Sequence, residues 1–237
     1  MLSYGGLSPD ARPVPETWKF DGARWVHHDE TKHPPATDHF AMEHDGRRSQ
    51  AILFGGRTED DDLTDETWRW DSNGWRRVSS SGPAPRLHGA MAYDPTDRRI
   101  VLFGGDPRRA NGTFLADTWT WTGREWARSA TGTPRPGGRA DADLAFHPEA
   151  GGVVLFGGVT AKGGFPDDTW VFDRKRGWRR IETADAPPGR IGHALAYDPN
   201  RGVVVLYGGF AGDRSFTDVW EFDGTSWTDV TPALEGA

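Results

Sequence analysis

Four nine-residue rows set histidines and carboxylates at matching places. They are "TDHFAMEHD" (37–45), "RLHGAMAYD" (86–94), "RADADLAFH" (139–147) and "RIGHALAYD" (190–198). The third column reads His39, His88, Asp141 and Gly192, and His193 follows the glycine. The fifth reads Ala41, Ala90, Asp143 and Ala194; the seventh reads Glu43, Ala92, Ala145 and Ala196. Alanine is expected where strands crowd together. Asp143 and Glu43 break that pattern, and a buried carboxylate without a partner is costly. A histidine and a carboxylate in a partly dry cleft suit general acid–base work. They also suit an oxygen- or nitrogen-liking divalent metal. The rows therefore predict a polar pocket: His39, His88, Asp141 and Asp143 as catalytic candidates at its mouth, Glu43 deeper and His193 nearby as ligand-binding residues. Asp141 and Asp143 are two apart on one strand and so share a side. Like charges held close raise one carboxyl pKa. The alternative is that all these groups serve backbone ends and waters. No cofactor and no metal is assigned.

The rows are equivalent because the chain repeats. Double glycines stand at Gly5-Gly6, Gly55-Gly56, Gly104-Gly105, Gly157-Gly158 and Gly208-Gly209. A Trp follows each, at Trp18, Trp68, Trp119, Trp170 and Trp220, with spacings of 50, 51, 51 and 50 residues. A second Trp closes each unit, at Trp25, Trp75, Trp126, Trp178 and Trp227. A fixed period of this size dictates the whole fold. Each unit holds four short strand-like runs split by Gly, Pro, Asn and Asp, for example "HGAMAYD", "RRIVLFGG", "ETWRWD" and "GWRRVS". Such runs read as antiparallel hairpins, and no helical periodicity competes. Four antiparallel strands per 50 residues is the pattern of a propeller blade.

"RLHGAMAYDPTDRRIVLFGG" with "DETWRWDSNGW" resembles a kelch repeat of the bacterial sort, related to the central domain of galactose oxidase. The resemblance implies an all-β propeller of four-stranded blades; the five double-glycine and Trp marks make it five-bladed, where the family more often has six or seven. It covers one domain, 1–237, with blade marks at 5–27, 37–78, 86–129, 139–181 and 190–230. Only four rows supply an innermost strand. The tail "LEGA" matches "LHGA", so the tail is expected to swing back and close the first blade; alternatively a strand lies upstream. Double glycines end a strand abruptly beside a neighbouring blade, and the tryptophans fill the space between sheets. Trp70 and Trp121, aligned with Phe20, Phe172 and Phe222, are expected in the core as well.

In this family the loops joining strand four to one and strand two to three share a face. That face is built from 27–37, 57–65, 79–86, 106–116, 128–139, 159–167, 182–190 and 210–217, and long loops on a rigid scaffold tend to carry function. The first column reads Thr37, Arg86, Arg139 and Arg190. The arginines either form an anion-binding ring or, as is common in the family, pair with an acidic residue of the next blade. The clusters "HHDETKH" and "TEDDDLTD" read as solvated loops; the second lacks calcium-loop spacing. The iron motif of plant specifier proteins, Glu-x3-Asp-x3-His, is present only as Asp29-x3-His33. With no Cys, the Tyr–Cys crosslink of galactose oxidase cannot form.

Net charge is −7, which argues against a general nucleic-acid binder. There is no apolar run long enough for a membrane helix. The N-terminus shows no basic-then-apolar pattern, so a cytoplasmic chain is expected. Of 28 cationic side chains 24 are Arg, a bias expected of a GC-rich bacterial genome. The expected function is a propeller that binds a small-molecule ligand or a protein partner on the long-loop face. The alternative is a small-molecule enzyme of lyase, isomerase or cyclase type.

Overall fold

The computed structural model describes residues 1–29, 31–79, 81–108, 110–130 and 132–232. All regular structure in them is strand; none is helix, so no helix is long and apolar enough to cross a membrane. The chain is a five-bladed β-propeller. Four blades are four-stranded antiparallel sheets. Their innermost strands are Ala41–Asp45, Ala90–Asp94, Arg139–His147 and Ala194–Asp198. The first blade has three described strands, Leu2–Tyr4, Thr17–Phe20 and Trp25–His28. The tail expected to complete it, residues 233–237, lies outside the described residues.

The period-2 pattern of each second strand explains the core. In Gln50–Phe54, Ile52 and Phe54 face the following blade, where they pack with Met91, Ile100, Leu102, Trp121 and Trp126. The same alternation recurs between the third and fourth blades and between the fourth and fifth. A strand buried on both faces reads as a continuous apolar run, which is why "RIVLF" and "VVLF" lack polar alternation.

Between blades, four of the five closing tryptophans donate the indole N–H to the threonine that opens the preceding blade's third strand. The pairs are Trp75–Thr17, Trp126–Thr67, Trp178–Thr118 and Trp227–Thr169, at 2.8–2.9 Å, all buried. The fifth blade carries Val219 at that position. Valine accepts no hydrogen bond, and Trp25, which would reach for it, is 44% exposed. Tyr207, the counterpart of Phe54 and Phe156, is 56% exposed. Among the described residues, the junction of the fifth and first blades therefore lacks the packing of the other four. Trp18 and Trp25 are corrections to the expectation that every repeat Trp is core.

This latch makes a prediction. Thr118→Val leaves the Trp178 indole N–H buried and unpaired and should lower unfolding stability by about 1–3 kcal/mol. Val219→Thr, which offers an acceptor to an indole that is not packed there, should leave it unchanged. Urea unfolding of both variants checks the pair.

The far end of the blades is closed by tight turns. Asp45, Asp94 and Asp198 end innermost strands, and each accepts backbone N–H bonds two and three residues on. Such turns explain the recurring Asp at that place.

Candidate functional site

The innermost strand of the fourth blade and the residues just before those of the second and third bring Asp141, Asp143, His39 and His88 together at one pocket. With Phe40, Gly89, Ala142, Gly192 and His193 they line one open pocket of about 300 Å³. It sits where the long connections from outer to innermost strands arrive.

The backbone there is unusual. His39, His88, Asp141 and Gly192, the whole third column, have φ of 53°, 53°, 54° and 64°. The left-handed region is uncommon for residues with a Cβ, and His and Asp are among the side chains that tolerate it best. Gly192 shows what the position favours on conformational grounds alone. Three blades nevertheless place a side chain there, and such strain clusters at functional sites. The sequence held a signal for this kink: one of four equivalent positions is glycine.

The kink separates residues that the sequence set on one side. Asp141 turns to the neighbouring blade, where its Oδ1 lies 2.6 Å from His88 Nδ1. His39 Nδ1 lies 3.0 Å from Asp38 Oδ1. The two imidazoles stand 4.3 Å apart, centre to centre. Asp143 points elsewhere: its two oxygens accept the backbone N–H groups of Leu144 and Leu195, both at 2.8 Å. Burial pushes the Asp143 carboxyl up to about 6, against these two bonds. The expected mutual repulsion of Asp141 and Asp143 is thus not the cause. The like-charge effect falls on Glu43 instead. Burial first, with the Asp143 charge added, pushes Glu43 up to about 7, although the His44 N–H bonds its Oε1 at 2.6 Å.

His193 is buried, and neither ring nitrogen has a hydrogen-bond partner. Burial first, then the Arg190 charge, pushes its pKa down to about 4. The ring fits because Gly157 lies against it; a Cβ there would meet His193 Cε1 at 2.5 Å.

The three arginines do not join the pocket. Arg86, Arg139 and Arg190 are buried and fork onto Asp117, Asp168 and Asp218, which belong to their own blades rather than the next. Their remaining donors bond the carbonyls of Gly104, Gly157 and Gly208 and of the loops just before them. Both the anion-ring reading and the next-blade pairing are corrected on this geometry. The acid also accepts the indole N–H of Trp119, Trp170 or Trp220 two residues on. The signal was legible as Asp-x-Trp in three repeats, but its meaning needed the fold. In the second blade, which has Thr37 in place of Arg, Glu66 takes Trp68 and Arg77.

Of the loop clusters, Asp61 pairs with Arg57 and Arg108. Among the described residues no group of three or more His, Asp or Glu side chains is arranged for a metal.

The Glu43 shift gives a second prediction. Its folded pKa lies above the ordinary 4.5, so the fold binds the proton more tightly than the unfolded chain. Stability should fall as pH rises from about 4.5 to about 7. Glu43→Gln should remove that slope and exceed wild type by about 2 kcal/mol at pH 8, with little difference at pH 4. The His193 shift acts oppositely, costing stability as pH falls below 6.5, and cancels between the two proteins. Thermal melts at both pH values check this.

No family model matches the chain. It is 28% identical over 191 residues to an F-box/kelch-repeat protein of Arabidopsis thaliana, covering 73% of this chain and 39% of that one. It is 27% identical over 187 residues to the Rab9 effector protein with kelch motifs of Homo sapiens, covering 73% and 47%. It is 33% identical over 118 residues to dynein regulatory complex subunit 7 of Chlamydomonas reinhardtii, covering 46% and 10%. The chain thus spans less than half the length of these curated relatives. They are eukaryotic and give the bacterial, galactose oxidase sort no support; nor do they support the catalytic alternative. Five blades, their double glycines, their paired tryptophans and these likenesses make the chain a kelch-repeat β-propeller.

Proposed function

We propose that the chain is a binding module, which holds a protein partner on its long-loop face and receives one group of that partner in the axial pocket. One observation carries this reading. Three blades hold His39, His88 and Asp141 in the same strained kink around one pocket, while the other end of the blades is closed by short turns. A propeller needing only to fold has Gly192 as the less strained choice. Relatives named for kelch motifs, one of them an effector protein, accord with an interaction role.

The test compares capture of proteins by the immobilised chain, its Asp141→Ala variant and an Asn200→Arg variant at the short-turn end. Asp141→Ala should cut capture of a specific partner tenfold or more, about 1.4 kcal/mol, with an unchanged melting curve. Asn200→Arg should bind as wild type. The reverse outcome, or equal capture by all three, would move the binding surface away from this face.

A further inference from the structure

We infer that Asn111 is a site of self-modification: in the folded chain the Gly112 backbone nitrogen attacks its side-chain amide and converts it to a carboxylate. The site stands on the loop 106–116 of the long-loop face. The inference goes beyond the binding-module reading and does not depend on it.

The geometry of the loop carries it. Asn111 Oδ1 accepts two hydrogen bonds, from the Thr113 backbone N–H at 3.2 Å and from the Thr113 hydroxyl at 2.8 Å. An Asn side chain bonded to the N–H two residues on closes an Asx turn. The Asn111 amide carbon and the Gly112 nitrogen then belong to one closed ring, which holds target and attacker together. As the nitrogen adds, negative charge develops on Oδ1, and donors already aimed at that oxygen stabilise it. Gly112 offers no obstruction. Its φ is 64°, and nothing lies within 4 Å of where a Cβ would stand. Asn111, Gly112 and Thr113 are all exposed, so base and water reach them.

The step balances. The Gly112 nitrogen gives its proton to base and bonds Asn111 Cγ. The Cγ–Nδ2 bond breaks, and ammonia leaves with a proton taken from solvent. The cyclic imide then takes up water at either carbonyl. Opening at Cγ gives aspartate; opening at the backbone carbonyl gives isoaspartate, which lengthens the loop backbone by one carbon. Either product puts a negative charge where a neutral amide stood, so the long-loop face changes with the age of the molecule.

A second Asn-Gly step, Asn73-Gly74, is built differently. Gly74 is buried and paired opposite Asp71 in a hairpin of the second blade. The Asn73 backbone N–H donates to Asp71 Oδ1 at 2.9 Å, and among the described residues no donor reaches its amide oxygen. The same dipeptide thus has aimed donors and open backbone in one place and neither in the other.

The test incubates the intact chain at mildly basic pH and follows two tryptic peptides by mass, Ala110–Arg124 and Trp70–Arg76. Asn111 should convert about tenfold faster than Asn73 and give two products of equal mass, aspartate and isoaspartate. Thr113→Val, which removes the hydroxyl donor, should slow Asn111 about threefold. Thr113→Ser, which keeps the donor, should convert as wild type. Thr113 is exposed, so neither variant should move the melting temperature. In the urea-unfolded chain the two asparagines should convert at one rate, since both precede glycine. Conversion of Asn73 as fast as Asn111 in the folded chain, equal rates in Thr113→Val and wild type, or a difference that persists in urea overturns the inference. The binding-module reading is judged separately, by its own capture test.

Discussion

Arg139→Met should cost about 3–5 kcal/mol of unfolding stability, the range for removing one member of a buried ion pair. Arg139 is 3% exposed. Its guanidinium spans Asp168 at 2.6 and 3.1 Å, the Gly157 carbonyl at 3.2 Å and the Gly137 carbonyl at 3.3 Å. Losing it strands a carboxylate and two carbonyls together. Burial pushes the Asp168 carboxyl up, but Arg139, helped by the Trp170 indole and the Arg180 charge, more than offsets this and holds it below the ordinary 3.8. The pair therefore contributes stability that is present above the ordinary value and is lost as pH falls through the folded one. The variant should show a flatter stability profile in that acid range. A double variant, Arg139→Met with Asp168→Leu, should regain much of the loss, because two apolar groups replace the pair without leaving a charge unpaired. Equilibrium unfolding of wild type, both single variants and the double across pH 3–7 measures the coupling. A single-variant loss below about 1 kcal/mol would mean that the fork is ornamental.

Gly104→Val should cost about 3 kcal/mol or more. Two effects add. Gly104 sits at φ 67°, where a branched side chain is strained. A Cβ built on it meets the Arg139 carbonyl oxygen at 2.5 Å, so backbone of the adjoining blade would have to move. Gly112 separates the two effects. Its φ is 64°, yet nothing lies within 4 Å of its would-be Cβ. Gly112→Val should therefore cost only the strain, about 1–3 kcal/mol. Melting temperatures of the two variants test this, and equal losses would refute the close approach as the reason for the double glycine.

By itself the sequence determined the architecture. The 50-residue period, the double glycines and the paired tryptophans each recur where a blade needs them, so local pattern and global fold agree. It also determined which residues could meet. Alignment of four rows is enough to set His39, His88, Asp141 and Asp143 at one end of the axis, because equivalent strands of a propeller are superposed by its symmetry. Val219 in place of threonine was equally present in the sequence, although its consequence for Trp25 was not readable without the indole's partner.

Tertiary structure decided what those residues do. Counting two along a strand set Asp141 and Asp143 on one side; a positive φ at Asp141 turned one to His88 and left the other on Leu195. Which acid answers Arg139 depends on the path of the third strand, and that path gave it Asp168 of its own blade. The coupling of Glu43 to Asp143 joins residues 100 apart in sequence across the axis. Repeats fix position to within a strand register, but side-chain direction and the balance of burial against charge depend on the neighbouring blade, which a single row does not contain.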